Sequence, residues 1–317
     1  QVIKSISPAF EKSSIDEFYV DLSGMSKYHN ALEFATNLRQ KITQETGLAI
    51  SFGLASTKTT AKIATGEAKP DGQLFIKHGD EKTFLAPLPI KKIPMVGKKT
   101  CEILQNKGYH FIKDIQNKTQ QEFENELGNS GNSIWLKANG LYHSKIVEYR
   151  ERKSISSERT FSSDSKNTDA LLAIVSVLCE NLTYQLRQKE KLTACISVKI
   201  RYTDFETHSQ QKTIDYSSAD HSIIPIAKDL FLSLLKKDKA VRLIGVRFSH
   251  LVNNGLQYQL FENHEKMDKL YSSMDALRDK FGSKTIMRAS GMNYKSVNRI
   301  NTFSGEDAVD LEKDKKA

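Results

Sequence analysis

Ser13-Ser14-Ile15-Asp16-Glu17-Phe18-Tyr19-Val20-Asp21-Leu22 sets two adjacent carboxylates between apolar residues, with Ser7-Pro8-Ala9-Phe10 ahead of them. Phe18, Val20 and Leu22 alternate with Tyr19 and Asp21, the period of a half-buried strand. Neighbouring side chains of a regular strand point to opposite faces. Asp16 and Glu17 therefore converge on one site only where the chain turns or bulges, and the Ser13-Ser14 lead-in suits a tight connection. Two convergent carboxylates at a strand edge are what a magnesium site for phosphoryl transfer needs. One bridges the cations, and the other binds a metal or helps deprotonate an attacking hydroxyl. Taken alone, the pair also reads as an exposed acidic turn.

The chain around this stretch has 317 residues, 38% of them hydrophobic, and a formal net charge of +9. That length predicts two or three domains with real cores. No apolar run approaches a membrane span, so no membrane partner is expected. The surplus of Lys and Arg favours a polyanion, most simply nucleic acid. Cys101, Cys179 and Cys195 are scattered and odd in number, which argues against a disulfide framework and for thiols in a reducing cytosol. The eight His residues show no metal-ligand spacing.

Outward from the acidic pair, Leu32, Ala35, Leu38 and Ile42 form a helical stripe that Gly47 stops. Residues 48–54 form a short apolar run containing Gly53, which predicts a buried strand close to another backbone. Ser56 or Thr57 can cap the next helix, and Lys69-Pro70-Asp71-Gly72 turns before a strand at 73–76. The prolines of residues 84–90 mark a boundary. In residues 93–104 a turn at Gly97 leads into a helix. Its N-terminus, with Lys98 and Lys99, suits a phosphate. A second glycine-containing turn is expected at residues 128–133, ahead of Ile134.

Residues 149–161 are basic and then alternating, with Arg150, Arg152 and Lys153 at their start. A helix follows over 168–188, striped by Leu171, Ile174, Leu178, Leu182 and Leu186. Strands are predicted at 194–202, with Lys199 and Arg201 outward, and near 208–214. Asp220 can cap a helix running to Leu235, and a strand containing Arg247 covers 241–249. The order β-α-β-β-α-β is the split βαβ plan. Beyond Asn253-Asn254-Gly255 the pattern loosens. A helix at about 265–281 carries Met267, Leu270, Met274 and Leu277 at helical spacing, and residues 305–317 are charged and expected to be disordered.

Residues 14–23 resemble the S-I-D-E-x-Y-x-D motif of the Y-family DNA polymerases, the translesion enzymes, with their bacterial DNA polymerase IV branch nearest. Phe52 to Lys58, Ala61 to Ala64 and Ala68 to Gly72 resemble a further block of that family, with Thr57 where Asn is usual. The resemblance runs in order along nearly the whole chain. It implies an α+β multidomain fold: a partial α/β palm at 1–78, a small helical thumb with a helix-hairpin-helix at 79–145, a basic linker at 146–153, a β-α-β-β-α-β little finger at 154–253, and a clamp-binding and helical tail at 254–317. The family opens with a palm strand bearing another metal-binding Asp, then a fingers domain. This chain starts on Gln1 close to the second catalytic motif, so it is expected to lack that portion and to be inactive by itself.

The resemblance also implies roles. Asp16 and Glu17 would be the catalytic, magnesium-binding carboxylates of a site holding two ions, and Lys69 would reach the triphosphate of an incoming deoxynucleotide. Gly97, Lys98, Lys99, Arg150, Arg152, Lys153, Lys199, Arg201 and Arg247 would contact primer-template DNA. Gln257-Tyr258-Gln259-Leu260-Phe261 resembles the peptide by which bacterial polymerases bind the sliding clamp, with Gln257, Leu260 and Phe261 as anchors. A cytoplasmic monomer is expected. Two rivals stand beside this reading. A non-catalytic accessory relative that binds DNA or the clamp conflicts with the retained Asp16-Glu17. A helix-hairpin-helix nuclease or glycosylase leaves the split βαβ pattern unexplained.

Overall fold

The computed structural model describes residues 2–7, 9–24, 30–148, 151–253, 265–282 and 285–289. The chain divides into two compact units between residues 150 and 151.

The first unit begins with helix α1 (Val2–Ile6) and an antiparallel hairpin of β1 (Phe10–Lys12) and β2 (Phe18–Val20), paired Phe10 to Val20. Helix α2 (Ala31–Thr46) follows, capped by the Asn30 side chain and ended by Gly47 in the left-handed region at φ 71°. Strands β3 (Phe52–Leu54) and β4 (Gln73–Phe75) pair in parallel, joined by α3 (Lys58–Glu67). The expected close approach at Gly53 is present: a Cβ there would lie 2.3 Å from the Ala61 carbonyl oxygen and 2.7 Å from the Ala64 Cβ. The expected burial of this run is only partial. Its strand is half-buried and Leu48 is 64% exposed, because β3 pairs among the described residues with β4 alone.

The same unit continues through α4 (Glu81–Leu85), a 3-10 turn at Ile90–Lys92, α5 (Lys98–Asn106), α6 (Ile112–Gln116), α7 (Gln120–Leu127) and α8 (Asn129–Ala138). These short helices enclose a core of Leu85, Ile90, Ile93, Leu104, Ile112, Ile115 and Phe123. Each such side chain stabilises the fold by about 1.5–3 kcal/mol on burial. The turn expected at residues 128–133 is instead helix. Only Gly128, at φ 63°, turns the chain. Gly131 is a packing residue, because a Cβ there would meet the Phe123 carbonyl oxygen at 2.3 Å and the Leu127 Cβ at 2.9 Å. Absence of a side chain brings α8 against α7.

The second unit is a four-stranded antiparallel sheet of β5 (Ser154–Ser165), β6 (Lys191–Tyr202), β7 (Thr207–Ser217) and β8 (Val241–Asn253), in the order β5-β8-β6-β7. Helices α9 (Thr168–Gln188) and α10 (Asp220–Leu234) cover one face. The predicted stripe of α9 is entirely buried against Ile196, Val198, Ile200, Tyr202, Ile244, Val246 and Phe248. The alternate residues of the strands form the other face.

Asp220 does not cap α10. Ala219 holds the cap position without a side-chain bond, and Asp220 is buried, accepting from Thr183 Oγ1 at 2.6 Å and Arg187 at 2.9 Å. Helix α11 (Glu265–Phe281) forms where expected but docks by a different face. Tyr271, Asp275 and Arg278 are buried, while Leu270 and Leu277 are 48% and 42% exposed. The Arg187 guanidinium explains this choice. It donates to Asp275 at 2.6 and 3.0 Å and lies 4.7 Å from the Tyr271 ring centre. A buried cation gains more from that polar face than from an apolar stripe.

Candidate active site and nucleic-acid surface

Asp16 and Glu17 lie in the turn between β1 and β2, so both leave the strand alternation that would separate them. The turn is closed by Ser13 and Ser14 N–H groups donating to the Glu17 carbonyl at 2.9 and 3.2 Å. The Ser14 hydroxyl donates to Asp16 Oδ1 at 2.6 Å and accepts from the Glu17 N–H at 3.1 Å. The serines of the lead-in thus shape the acidic turn. The bond from Ser14 holds the Asp16 carboxyl below the usual aspartate range, and the charges of Lys69 and Lys62 push the same way.

Three lysines surround the hairpin. Lys62 reaches Glu17 Oε2 at 2.5 Å. One turn earlier on α3, Lys58 pairs with the buried Glu11 of β1 at 2.6 Å and sits 4.9 Å from the Tyr19 ring centre. Glu11 also accepts from the Val147 N–H at 2.9 Å. The exposed Lys69 stands in a turn fixed from α2: Arg39 donates to the Ile50 carbonyl at 2.7 Å, the Asp71 carbonyl at 2.7 Å and Asp71 Oδ1 at 2.5 Å. Asp16, Glu17 and Lys69 are therefore brought to one locality. Lys58 and Lys62 escaped the sequence reading as site residues. Their four-residue spacing places both on one face of α3 and was the available signal.

The predicted nucleic-acid contacts fall in two groups. Gly97 is the N-cap of α5 with no side-chain bond to the helix, and Lys98 and Lys99 are its exposed first residues. On the second unit, Lys199, Arg201 and Arg247 share the sheet face that α9 and α10 leave open. Arg201 donates to Thr207 Oγ1 at 2.9 Å, and Lys199 is ion-paired with Glu158. Arg152 is half-buried and Lys153 exposed just before β5. Arg150, Gln257, Leu260 and Phe261 lie outside the described residues.

Three family models match the chain in order: the impB/mucB/samB family over residues 1–66, the IMS family HHH motif over 78–109, and the impB/mucB/samB family C-terminal domain over 152–260. DNA polymerase IV of a Dehalococcoides mccartyi strain is 33% identical over 297 residues, 93% of this chain and 76% of that protein. The chain belongs to the Y family of DNA polymerases. DNA polymerase IV of Clostridium acetobutylicum is 32% identical over 295 residues, 91% of this chain and 74% of that protein. A solved Y-family polymerase chimera of Dbh and Dpo4 has the same fold at a TM-score of 0.71 and 24% identity, covering 80% of this chain and 74% of the chimera. An insertion ternary complex of Dbh DNA polymerase, over the same shares of the two chains, gives 0.53 and 23%.

Within this Y-family chain, no group of three His, Cys, Asp or Glu able to hold a metal occurs among the described residues. Asp16 and Glu17 nonetheless provide two carboxylates of the oxygen type that a hard divalent cation takes, and Asp16 is exposed. They fit as part of a ligand set. No helix among the described residues is long and apolar enough to cross a membrane.

Proposed function

We propose that this chain supplies the acidic turn and the DNA-holding parts of an enzyme that performs template-directed nucleotidyl transfer, extending primers opposite damaged as well as intact template. The observation that carries the reading is the acidic turn: Asp16 and Glu17 leave the strand together, and the charge of Lys69 reaches Asp16. Asp16 and Glu17 would hold magnesium, two ions in the complete site. Bound magnesium would stabilise charge on the phosphoryl oxygens and favour deprotonation of the primer hydroxyl. Ser14 keeps Asp16 anionic, Lys62 orients Glu17, and Lys69 serves as a mobile point charge for the triphosphate.

Residues 1–78 are assigned as palm, 79–145 as thumb, 146–153 as linker, 154–253 as little finger and 254–317 as tail. The backbone at Gly97, with Lys98 and Lys99, would clip a phosphate of the duplex without reading its sequence. Arg150, Arg152 and Lys153 would follow the strand along the tether. Lys199, Arg201 and Arg247 would meet phosphates along the open sheet face. Gln257, Leu260 and Phe261 would dock in the sliding clamp, in a cytoplasmic enzyme acting as a monomer.

The experiment is incorporation of a single deoxynucleotide by the full-length protein on four templates differing only at the templating base. Incorporation that follows the template supports polymerase activity. Cleavage of the DNA or excision of a base, with no incorporation, would favour the nuclease or glycosylase reading.

A further inference from the structure

The open face of the second unit is a grid in register. Three of its rows are Ser156, Arg247, Ser197 and Gln211; then Glu158, Gly245, Lys199 and Ser209; then Thr160, Leu243, Arg201 and Thr207, running across β5, β8, β6 and β7. Three cations stand in these rows and one carboxylate, Glu158. Glu158 is on the edge strand β5, and its partner Lys199 is on β6, with β8 between them. Two strand spacings separate their backbones, roughly 9–10 Å. The pair closes because the intervening position is Gly245. A Cβ at that position would meet Glu158 Cγ at 3.0 Å and Cδ and Oε1 at 3.3 Å. Glu158 therefore lies across the bare backbone of β8 to reach the central cation of the face.

We propose that Glu158 competes with nucleic-acid phosphate for Lys199, and so limits how strongly this sheet grips DNA. The inference rests on the reading of the open face as a DNA surface. With Glu158 in place, a phosphate that takes Lys199 must displace a carboxylate. It also brings its own charge beside the exposed Glu158 anion, well within the screening distance of physiological salt. Loose, adjustable contact suits an enzyme that must translate along the duplex after each addition, because every phosphate contact has to be broken and remade.

The test measures binding of a fluorescent primer-template by the full-length protein across a salt series, for wild type, E158Q, K199A, R247A and the E158Q/K199A double variant. The Glu-to-Gln change keeps shape and removes charge. E158Q is expected to bind more tightly at low salt. Its affinity should fall about threefold more steeply between roughly 50 and 200 mM salt, the effect of one additional phosphate contact. K199A is expected to weaken binding, and E158Q to have no further effect in the K199A background. Unchanged affinity and salt slope in E158Q, with K199A still weakened, would overturn the proposal while leaving the DNA face intact. An equal gain from E158Q with and without Lys199 would also overturn it, by showing general charge rather than competition. If K199A and R247A both bind like wild type, the reading of the sheet as a DNA surface fails, and the proposal fails with it.

Discussion

At the scale of single residues, Ser14 shapes the acidic turn as much as its carboxylates do. Its hydroxyl is the largest cause of the lowered pKa of Asp16. A carboxylate with a lowered folded pKa contributes stability above its unfolded pKa, and that contribution is lost as pH falls through the folded value. For catalysis the same shift keeps Asp16 anionic below the usual aspartate range. Ser14→Ala is therefore expected to move the acid limb of the incorporation profile toward higher pH, and an unmoved limb would count against Asp16 as the titrating ligand. Lys69 makes a separate prediction. A charge-assisted contact to the triphosphate contributes roughly 1.5–3 kcal/mol. Lys69→Ala should therefore raise KM for the incoming deoxynucleotide by about one to two orders of magnitude, with DNA affinity unchanged. Asp16, Glu17 and Lys69 stand out as candidates in the sequence because each lies inside a contiguous motif. Lys62 was harder to read, since its partner Glu17 is 45 residues away and the pair exists only once α3 packs beside the hairpin.

At the scale of elements, periodicity was a sound guide wherever one face of an element meets one core. The α9 stripe and the alternation of β6 are buried as their spacing predicts. Glycine was ambiguous, since composition does not separate a glycine that turns the chain from one that admits a neighbouring helix. Gly128 does the first and Gly131 the second. Gly131→Ala is expected to destabilise the first unit by about 1–3 kcal/mol through overpacking, measured by chemical denaturation. Asp220 was misread, and the docking face of α11 was not legible, for a different reason. Their common partner Arg187 lies 33 residues before Asp220 and 88 before Asp275. Arg187→Ala would take from buried Asp220 its nearest cation, leaving the Thr183 hydroxyl and Arg288 at 3.9 Å, an effect on the order of 3 kcal/mol. Hydrogen exchange should then show α11 opening first, and full protection of α11 in that variant would contradict the docking described.

At the scale of the whole molecule, the acidic hairpin is separate in the chain from the residues assigned to DNA. Eight basic side chains carry the proposed contacts with primer-template. Binding should accordingly be indifferent to sequence and weaken by on the order of 10⁴-fold between about 50 and 200 mM salt. Chemistry and grip should also come apart under mutation. The direct measurement is single-turnover incorporation by the full-length protein and its D16N and E17Q variants, alongside anisotropy on the same primer-template. The account predicts that both variants bind DNA as wild type does and incorporate nucleotide at least about a hundredfold more slowly, a loss of roughly 2.7 kcal/mol or more of transition-state stabilisation. Incorporation by either variant at the wild-type rate would contradict it.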